Sequence, residues 1–81
     1  MVLSKLKANN LLNLSAREHQ VLNLICQGNT FKDIASLLFI SPYTVISHKK
    51  NLISKFKAKN LVHLGVLAER NGYLEGREDS D

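Results

Sequence analysis

The sequence predicts an all-α domain, four-helix bundle-like in its arrangement, with four short helices joined by tight turns. Three observations support this prediction. A Ser, Thr or Asn precedes each of four amphipathic stretches at the position of a helix N-cap. Apolar residues recur at three- and four-residue spacing after each cap, and no segment alternates as a half-buried strand would. The 81 residues fit one small domain with a modest core.

The first helix is predicted to begin after Ser15. In the capping box of residues 15–18, Ser15 accepts from the Glu18 amide, and the Glu18 side chain reaches back to the cap. The apolar stripe that follows consists of Val21, Leu22, Leu24 and Ile25. Gly28 is typical of a helix end, so the helix is expected to stop there.

The second helix is predicted to begin after Thr30 and to end near Phe39. Thr30 is a suitable N-cap, and Asp33 is favourable in the first turn because helix N-termini carry partial positive charge. Its apolar residues are Ile34, Ala35, Leu37 and Leu38.

The third helix is predicted to begin at Pro42, because Ser41 is a good N-cap and proline is tolerated at the first helical position. Only about three residues then separate the second and third helices. Two helices joined so tightly cross steeply, which is the helix-turn-helix arrangement.

The third helix, about residues 42–57, is predicted to have two different faces. At about 100° per residue, Leu52 and Phe56 fall close to Val45 and form a buried stripe, with His48 beside it. The opposite side carries Tyr43, Ser47, Lys50 and Ser54, with Ile46 and Asn51 at its edges. Hydroxyls, an amide and an ammonium suit base edges and phosphates in a major groove that admits one helix.

The fourth helix is predicted to run from Asn60 to Gly72, and it is apolar on more than one side. Leu61, Leu64 and Ala68 form a stripe for the core, whereas Val62 and Val66 lie elsewhere. A second apolar stripe favours a partner helix. The alternative, left open, is that the N-terminal segment covers it through Leu3, Leu6, Leu11 and Leu12.

The charge distribution favours a polyanionic partner. The net charge is +4, but residues 75–81 hold four acids and one base, so residues 1–74 carry ten bases and three acids. No acid occurs between Asp33 and Glu69, an interval that contains Lys49, Lys50, Lys55, Lys57 and Lys59. Such a segment attracts nucleic acid, although a solvated helix face is an equal reading of charge alone. Lys55, Lys57 and Lys59 are candidates for phosphate contact.

Residues 14–74 resemble the LuxR/FixJ-type (GerE-like) DNA-binding domain of bacterial transcription regulators, a helix-turn-helix unrelated to the winged helix. The resembling residues are Leu14-Ser15, Arg17-Glu18, Val21-Leu22, Gly28, Ile34-Ala35, Leu38, Ile40-Ser41, Thr44-Val45, His48, Asn51-Leu52 and Lys55-Phe56. They cover three helices and their turns. The resemblance implies sequence-specific binding of double-stranded DNA in transcription regulation, as a homodimer.

The resemblance also implies site residues. It places a phosphate contact on Thr44, base reading on Ile46, Ser47 and Lys50, and a phosphate-contacting turn at Thr30, Phe31 and Lys32. We further expect phosphate contacts from Lys49, Asn51 and Lys57, while for Tyr43 helix-end packing and phosphate contact stay equally open. The dimer interface is expected to comprise Val62, Val66 and Arg70 of the fourth helix.

Three positions depart from the family pattern. Ile46 stands where the family frequently has Lys or Arg, and its side chain can contact a thymine methyl group instead. Phe31 stands where the family usually has Asn, so an amide donor for phosphate is missing. Leu61 follows Asn60, where Arg is frequent.

Other functional classes have little support in the sequence. Three scattered histidines and one cysteine lack ligand spacing, so neither a metal nor a cofactor is expected, and Cys26 is interpreted as an inert core residue. His48 is interpreted as a packed histidine with a local hydrogen bond. No nucleophile–base pair, carboxylate pair or phosphate-cradling loop suggests an enzyme. No apolar run is long enough to span a membrane, so a cytoplasmic, nucleoid-associated protein is expected.

The expected organisation is a flexible lead-in or linker end at residues 1–13, the DNA-binding domain at 14–74 and an acidic disordered tail at 75–81. The domain is interpreted as the output part of a response regulator or a similar sensor. RNA polymerase is a candidate partner, and no small-molecule ligand is expected. The alternative function is an interaction module that pairs through the fourth helix with a larger regulator.

Overall fold

The computed structural model describes residues 12–73, and this part of the chain is all-helical. Its elements are α1 (Ala16–Cys26), α2 (Phe31–Leu38), α3 (Pro42–Phe56) and α4 (Leu61–Arg70). The all-α, helix-turn-helix prediction is therefore confirmed. Predictions on Leu3, Leu6, Leu11 and the acidic tail lie outside the described residues.

All four helices begin at the predicted caps. The Ser15, Thr30, Ser41 and Asn60 side chains each accept a hydrogen bond from the backbone N–H three residues later. At Ser15 the box is complete, since the Ser15 N–H also donates to Glu18 Oε1 at 3.0 Å. These bonds satisfy amide groups that have no partner within their own helix.

The helix ends use left-handed backbone. Gly28 has φ +94° in the turn after α1, a conformation that glycine adopts without steric cost. Phe39 ends α2 with φ 58° and Lys57 ends α3 with φ 56°, both non-glycine residues. The α2–α3 connection is therefore only Phe39 to Ser41, as the sequence predicted.

The core lies where the four helices meet, and each helix contributes at least two side chains to it. The buried apolar residues are Val21, Leu22, Ile34, Ala35, Val45, Leu52, Phe56, Leu64 and Ala68. Leu24, Ile25, Leu38 and Leu61 pack partly buried against them. Of the four apolar residues predicted in the second helix, Leu37 is 55% exposed, because it lies at the edge of the arc that faces the core.

Two segments beyond the predicted helices join the core. Tyr73 packs edge-on against Phe56, with ring centroids 5.1 Å apart. Burial raises the pKa of the Tyr73 phenol, although a hydrogen bond with the Leu12 backbone acts in the opposite direction. Leu12 itself packs against the core. The helical body therefore includes contacts from before residue 14, although the proposed domain boundary stays a prediction.

Candidate nucleic-acid interface

The third helix presents the two faces that its sequence predicted. Val45 and Leu52 are fully buried and Phe56 nearly so. On the other side, Tyr43, Ser47, Lys50 and Ser54 are exposed, as are Thr44 and Asn51. We call these six residues the outer face of α3. It carries no acidic side chain, so it combines hydroxyl and amide groups with positive charge.

The three residues predicted to read bases differ in exposure. Ser47 and Lys50 are exposed, whereas Ile46 is half-buried at the edge of the face. Ile46 thus has less apolar surface free for a thymine methyl group than a fully exposed side chain would have. Lys50 stands clear of the core and has the reach of a long, flexible cation.

The N-terminal turn of α3 has an internal hydroxyl pair. Ser41 Oγ accepts from the Thr44 backbone N–H at 3.2 Å and lies 3.1 Å from Thr44 Oγ1. Tyr43 beside it is 83% exposed, so packing at the helix end does not occupy its ring. Tyr43 and Thr44 therefore both present a hydroxyl group at the exposed first turn of α3.

The start of α2 brings a second group of predicted contacts to the surface. Thr30 and Lys32 are both exposed. Thr30 Oγ1 accepts from the Asp33 N–H at 3.0 Å. A hydroxyl that accepts one bond keeps its own O–H free to donate, so the cap and a phosphate contact are compatible.

Lys49 is the predicted phosphate ligand within α3 that does not lie on the outer face of that helix. It is half-buried, and its Nζ lies 5.9 Å from the centroid of the Phe31 ring. Lys57 is exposed at the left-handed C-cap of α3. The cationic side chains therefore reach solvent at several places around α3, with Lys49 directed toward the start of α2.

Lys55 does not serve as a free cation, contrary to the expectation for the lysine cluster. Its Nζ lies 2.7 Å from Glu18 Oε1 and 2.9 Å from the Asn13 carbonyl oxygen. Burial is the largest influence on Glu18 and raises its pKa. The Lys55 ammonium and the Ser15 N–H together outweigh burial, so the pKa of Glu18 is lowered overall. Lys55 thus fixes α3 to α1.

His48 is packed as predicted, but its expected local hydrogen bond is missing. The side chain is half-buried, and its Nδ1 is buried without a hydrogen-bond partner within the described residues. Cys26 is half-buried rather than part of the fully buried core. Within residues 12–73, no cluster of His, Cys, Asp and Glu has an arrangement suited to a metal ion.

The predicted dimer residues are exposed on α4. Val62 is 79% exposed and Val66 45% exposed, and Arg70 is exposed in the last turn. A shallow groove of about 290 Å³ borders both valines and extends to Ile25 and Gly65. The surface available for a partner thus combines the two valines with polar groups, since Glu69 also lines the groove and Arg70 lies next to it in sequence.

Comparison with known proteins identifies the type of domain. A family model described as bacterial regulatory proteins, luxR family, matches residues 12–68. The chain belongs to this family. As a luxR-family chain it carries a DNA-binding helix-turn-helix of transcription regulation, and the family is one of regulators rather than enzymes.

Individual luxR-family relatives cover the same part of the chain. The virulence-factor regulator BvgA of Bordetella pertussis is 48% identical over 58 residues, which are 72% of this chain and 28% of BvgA. The transcriptional regulatory protein FixJ of Rhizobium meliloti is 46% identical over 63 residues, 78% of this chain and 31% of FixJ. The chain thus spans about three tenths of the length of these curated relatives.

A solved structure supports the fold. VqmA of Vibrio cholerae, described as a dimer and a LuxR-type receptor with a target DNA, superimposes with a TM-score of 0.74 at 34% identity. The match covers 82% of this chain and 30% of the VqmA chain.

No helix within residues 12–73 is both long enough and apolar enough to cross a lipid bilayer.

Proposed function

We propose that this domain binds double-stranded DNA sequence-specifically, with α3 in the major groove. The observation that carries the proposal is the outer face of α3. It is exposed and free of acids, whereas the opposite side of the same helix is buried in the core. A helix fixed on one side and polar on the other is the element that fits a major groove.

The proposed contacts divide by role. Ser47 and Lys50, with Ile46 at the edge, read bases, since Ser47 and Lys50 are exposed on the outer face of α3 rather than buried in the core. Phosphates are held by groups around them. These are Thr30, Lys32, Tyr43, Thr44, Lys49, Asn51 and Lys57. Phosphate contacts supply affinity and orientation, whereas base contacts supply the sequence preference.

We also propose that two copies pair through α4 on a partly palindromic site. Exposed Val62 and Val66 support this pairing, because two neighbouring apolar side chains on a short surface helix gain from burial against a second copy. A two-fold dimer would place two α3 helices about one DNA turn, about 34–36 Å, apart. VqmA, which is described as a dimer, is consistent with this arrangement.

Selection from a randomised duplex library at fixed, near-physiological salt tests the proposal. Enrichment of two related half-sites about one turn apart is expected. A single enriched half-site would retain the reading face but remove the dimer. Binding without enrichment would reduce the function to charge attraction, and absence of binding even at low salt would contradict the proposal.

In a longer regulator, the domain would act as the DNA-binding output of a sensor in the cytoplasm, at the nucleoid, with RNA polymerase as a candidate partner. The relatives support this role, because the chain matches only part of BvgA and of FixJ. The alternative is pairing with a larger regulator through α4. The exposure of Val62 favours it, as do Ile46 and Phe31, which replace polar residues frequent in the family.

A further inference from the structure

Phe31 and Lys49 form a pair between the start of α2 and the middle of α3. Phe31 is the first residue of α2 and packs partly buried against the core. Lys49 Nζ lies over its ring, 5.9 Å from the centroid. This is within the roughly 6 Å at which a cation is attracted to an aromatic face.

The position of Lys49 on α3 explains why its ammonium lies close to the Phe31 ring. At about 100° per residue, Lys49 lies only about 40° from Val45 and the buried stripe, whereas Lys50 lies about 140° away. The Lys49 stem therefore runs along apolar surface before its charged end reaches water, as long cationic side chains commonly do. Within residues 12–73, Lys55 forms an ion pair with Glu18, whereas Lys49 has no carboxylate partner.

The ring directs the ammonium to the same place as other candidate phosphate ligands. Thr30 precedes Phe31 and keeps a free O–H donor, and exposed Lys32 follows it. The Lys49 ammonium has three N–H donors, and attraction to a ring leaves them available for hydrogen bonds. A phosphate at the start of α2 would meet a hydroxyl and two cations.

We infer that Phe31 is a positioning residue for DNA binding: it holds the Lys49 ammonium at the start of α2, where that ammonium contacts a phosphate. This inference rests on the proposed function. It also accounts for the departure at this position. An Asn would offer its own amide to phosphate, whereas Phe31 offers no donor and instead orients a cation from the neighbouring helix.

Four variants test the pair. Phe31→Leu keeps apolar volume but removes the aromatic face, Lys49→Met keeps the stem but removes the charge, and the double variant combines them. Phe39→Leu makes the same substitution at the 93% exposed ring that ends α2 and serves as the matched control. Affinity for a duplex chosen by the library selection is measured by fluorescence anisotropy across a salt series, with circular dichroism confirming that each variant is folded.

Phe31→Leu and Lys49→Met are each expected to weaken binding about five- to tenfold at about 0.1 M salt, because each loses one phosphate contact. The double variant should be no weaker than the single ones, since both changes remove the same contact. The slope of log affinity against log salt should fall by about 0.9 in all three. Phe39→Leu should bind as the unaltered chain does.

Three results would overturn the inference. If Phe31→Leu keeps full affinity for the duplex while Lys49→Met loses affinity, Phe31 has no role in binding. If the losses of the two single variants add up in the double variant, the two residues act independently. An unaffected Lys49→Met would show that Lys49 contacts no phosphate.

A measurement without DNA separates this inference from the proposed function. In the free protein, the Lys49 Cε protons should show an upfield ring-current shift that Phe31→Leu abolishes. Absence of that shift would overturn the pair while leaving DNA binding by α3 intact. If the shift is present but the unaltered chain binds no duplex, the proposed function fails and the phosphate role of Lys49 fails with it.

Discussion

At the scale of single residues, the Glu18 carboxylate has two structural roles. Glu18 completes the cap of α1 through the Ser15 N–H and also pairs with Lys55 at the end of α3. A buried carboxylate is costly unless its charge is balanced, so both partners are needed. The pair spans 37 residues of sequence, which is why the sequence indicated the capping box but not the ion pair.

Stability is predicted to depend on Glu18 in acid. Its folded-state pKa lies below the ordinary value of 4.5, so its contribution is fully present above about pH 4.5 and is lost as the pH falls through the folded-state pKa. The unfolding free energy should therefore decrease below about pH 4.5. Urea denaturation over a pH series measures this. Glu18→Gln should be less stable at pH 7 and show a flatter acid dependence; an unchanged dependence would contradict the assignment.

Lys50 is predicted to carry sequence preference. Lys50→Ala should cost about 1–3 kcal/mol of binding free energy on the selected duplex and broaden the selected sequence. Lys57→Asn should instead weaken all duplexes alike, since a phosphate contact carries no base information, and Asn tolerates the left-handed backbone there.

Arg17→Gln is the charge-matched control for Lys50, because it removes one positive charge from α1 rather than from the outer face of α3. Anisotropy on specific and scrambled duplexes distinguishes the variants. Equal affinity and preference for Lys50→Ala and the unaltered chain would refute the recognition face.

At the scale of elements, the sequence was most informative about where helices begin and which way α3 faces. Caps are local, so Ser15, Thr30, Ser41 and Asn60 were all recognisable. Contacts between helices were not, because they depend on packing. The Lys49–Phe31 contact and the packing of Tyr73 on Phe56 are examples.

Gly65→Ala is predicted to stabilise α4. Gly65 lies within the helix, and an added Cβ would meet Cys26 Sγ at 3.8 Å, an ordinary van der Waals distance. Alanine reduces the conformational freedom of the unfolded chain, so a gain of about 0.5–1 kcal/mol is expected in chemical denaturation. Gly72→Ala is the control and should destabilise, because Gly72 has φ +77°. A clear loss of stability for Gly65→Ala would mean that α1 and α4 pack too closely for a methyl group.

At the scale of the whole molecule, the helical domain has two surfaces with different chemistry, one on α3 and one on α4. The outer face of α3 is polar and cationic, whereas α4 exposes Val62 and Val66. The sequence indicated both surfaces through helical periodicity. It left open whether an N-terminal segment covers α4, since periodicity reports which residues share a face and not what packs on it.

Pairing through α4 is predicted to fail in Val62→Glu. Because Val62 is largely exposed, the substitution should leave folding intact while placing two like charges in the proposed interface. Sedimentation at increasing concentration should show the unaltered chain dimerising and the variant monomeric. Leu37→Glu, at another exposed apolar residue, is the matched control and should dimerise normally. Dimers of Val62→Glu would exclude this interface; a complex only with a larger relative would favour the alternative function.

The bond from Lys55 to the Asn13 carbonyl has a mechanical consequence. The chain enters the helical body within one side-chain length of the last turn of α3. In a longer regulator, tension on the preceding segment would act on the last turn of α3 and, through the Lys55–Glu18 ion pair, on α1 as well. Lys55 therefore connects the entry of the chain to both helices, and the length and stiffness of a joined segment would set how strongly an attached sensor moves them.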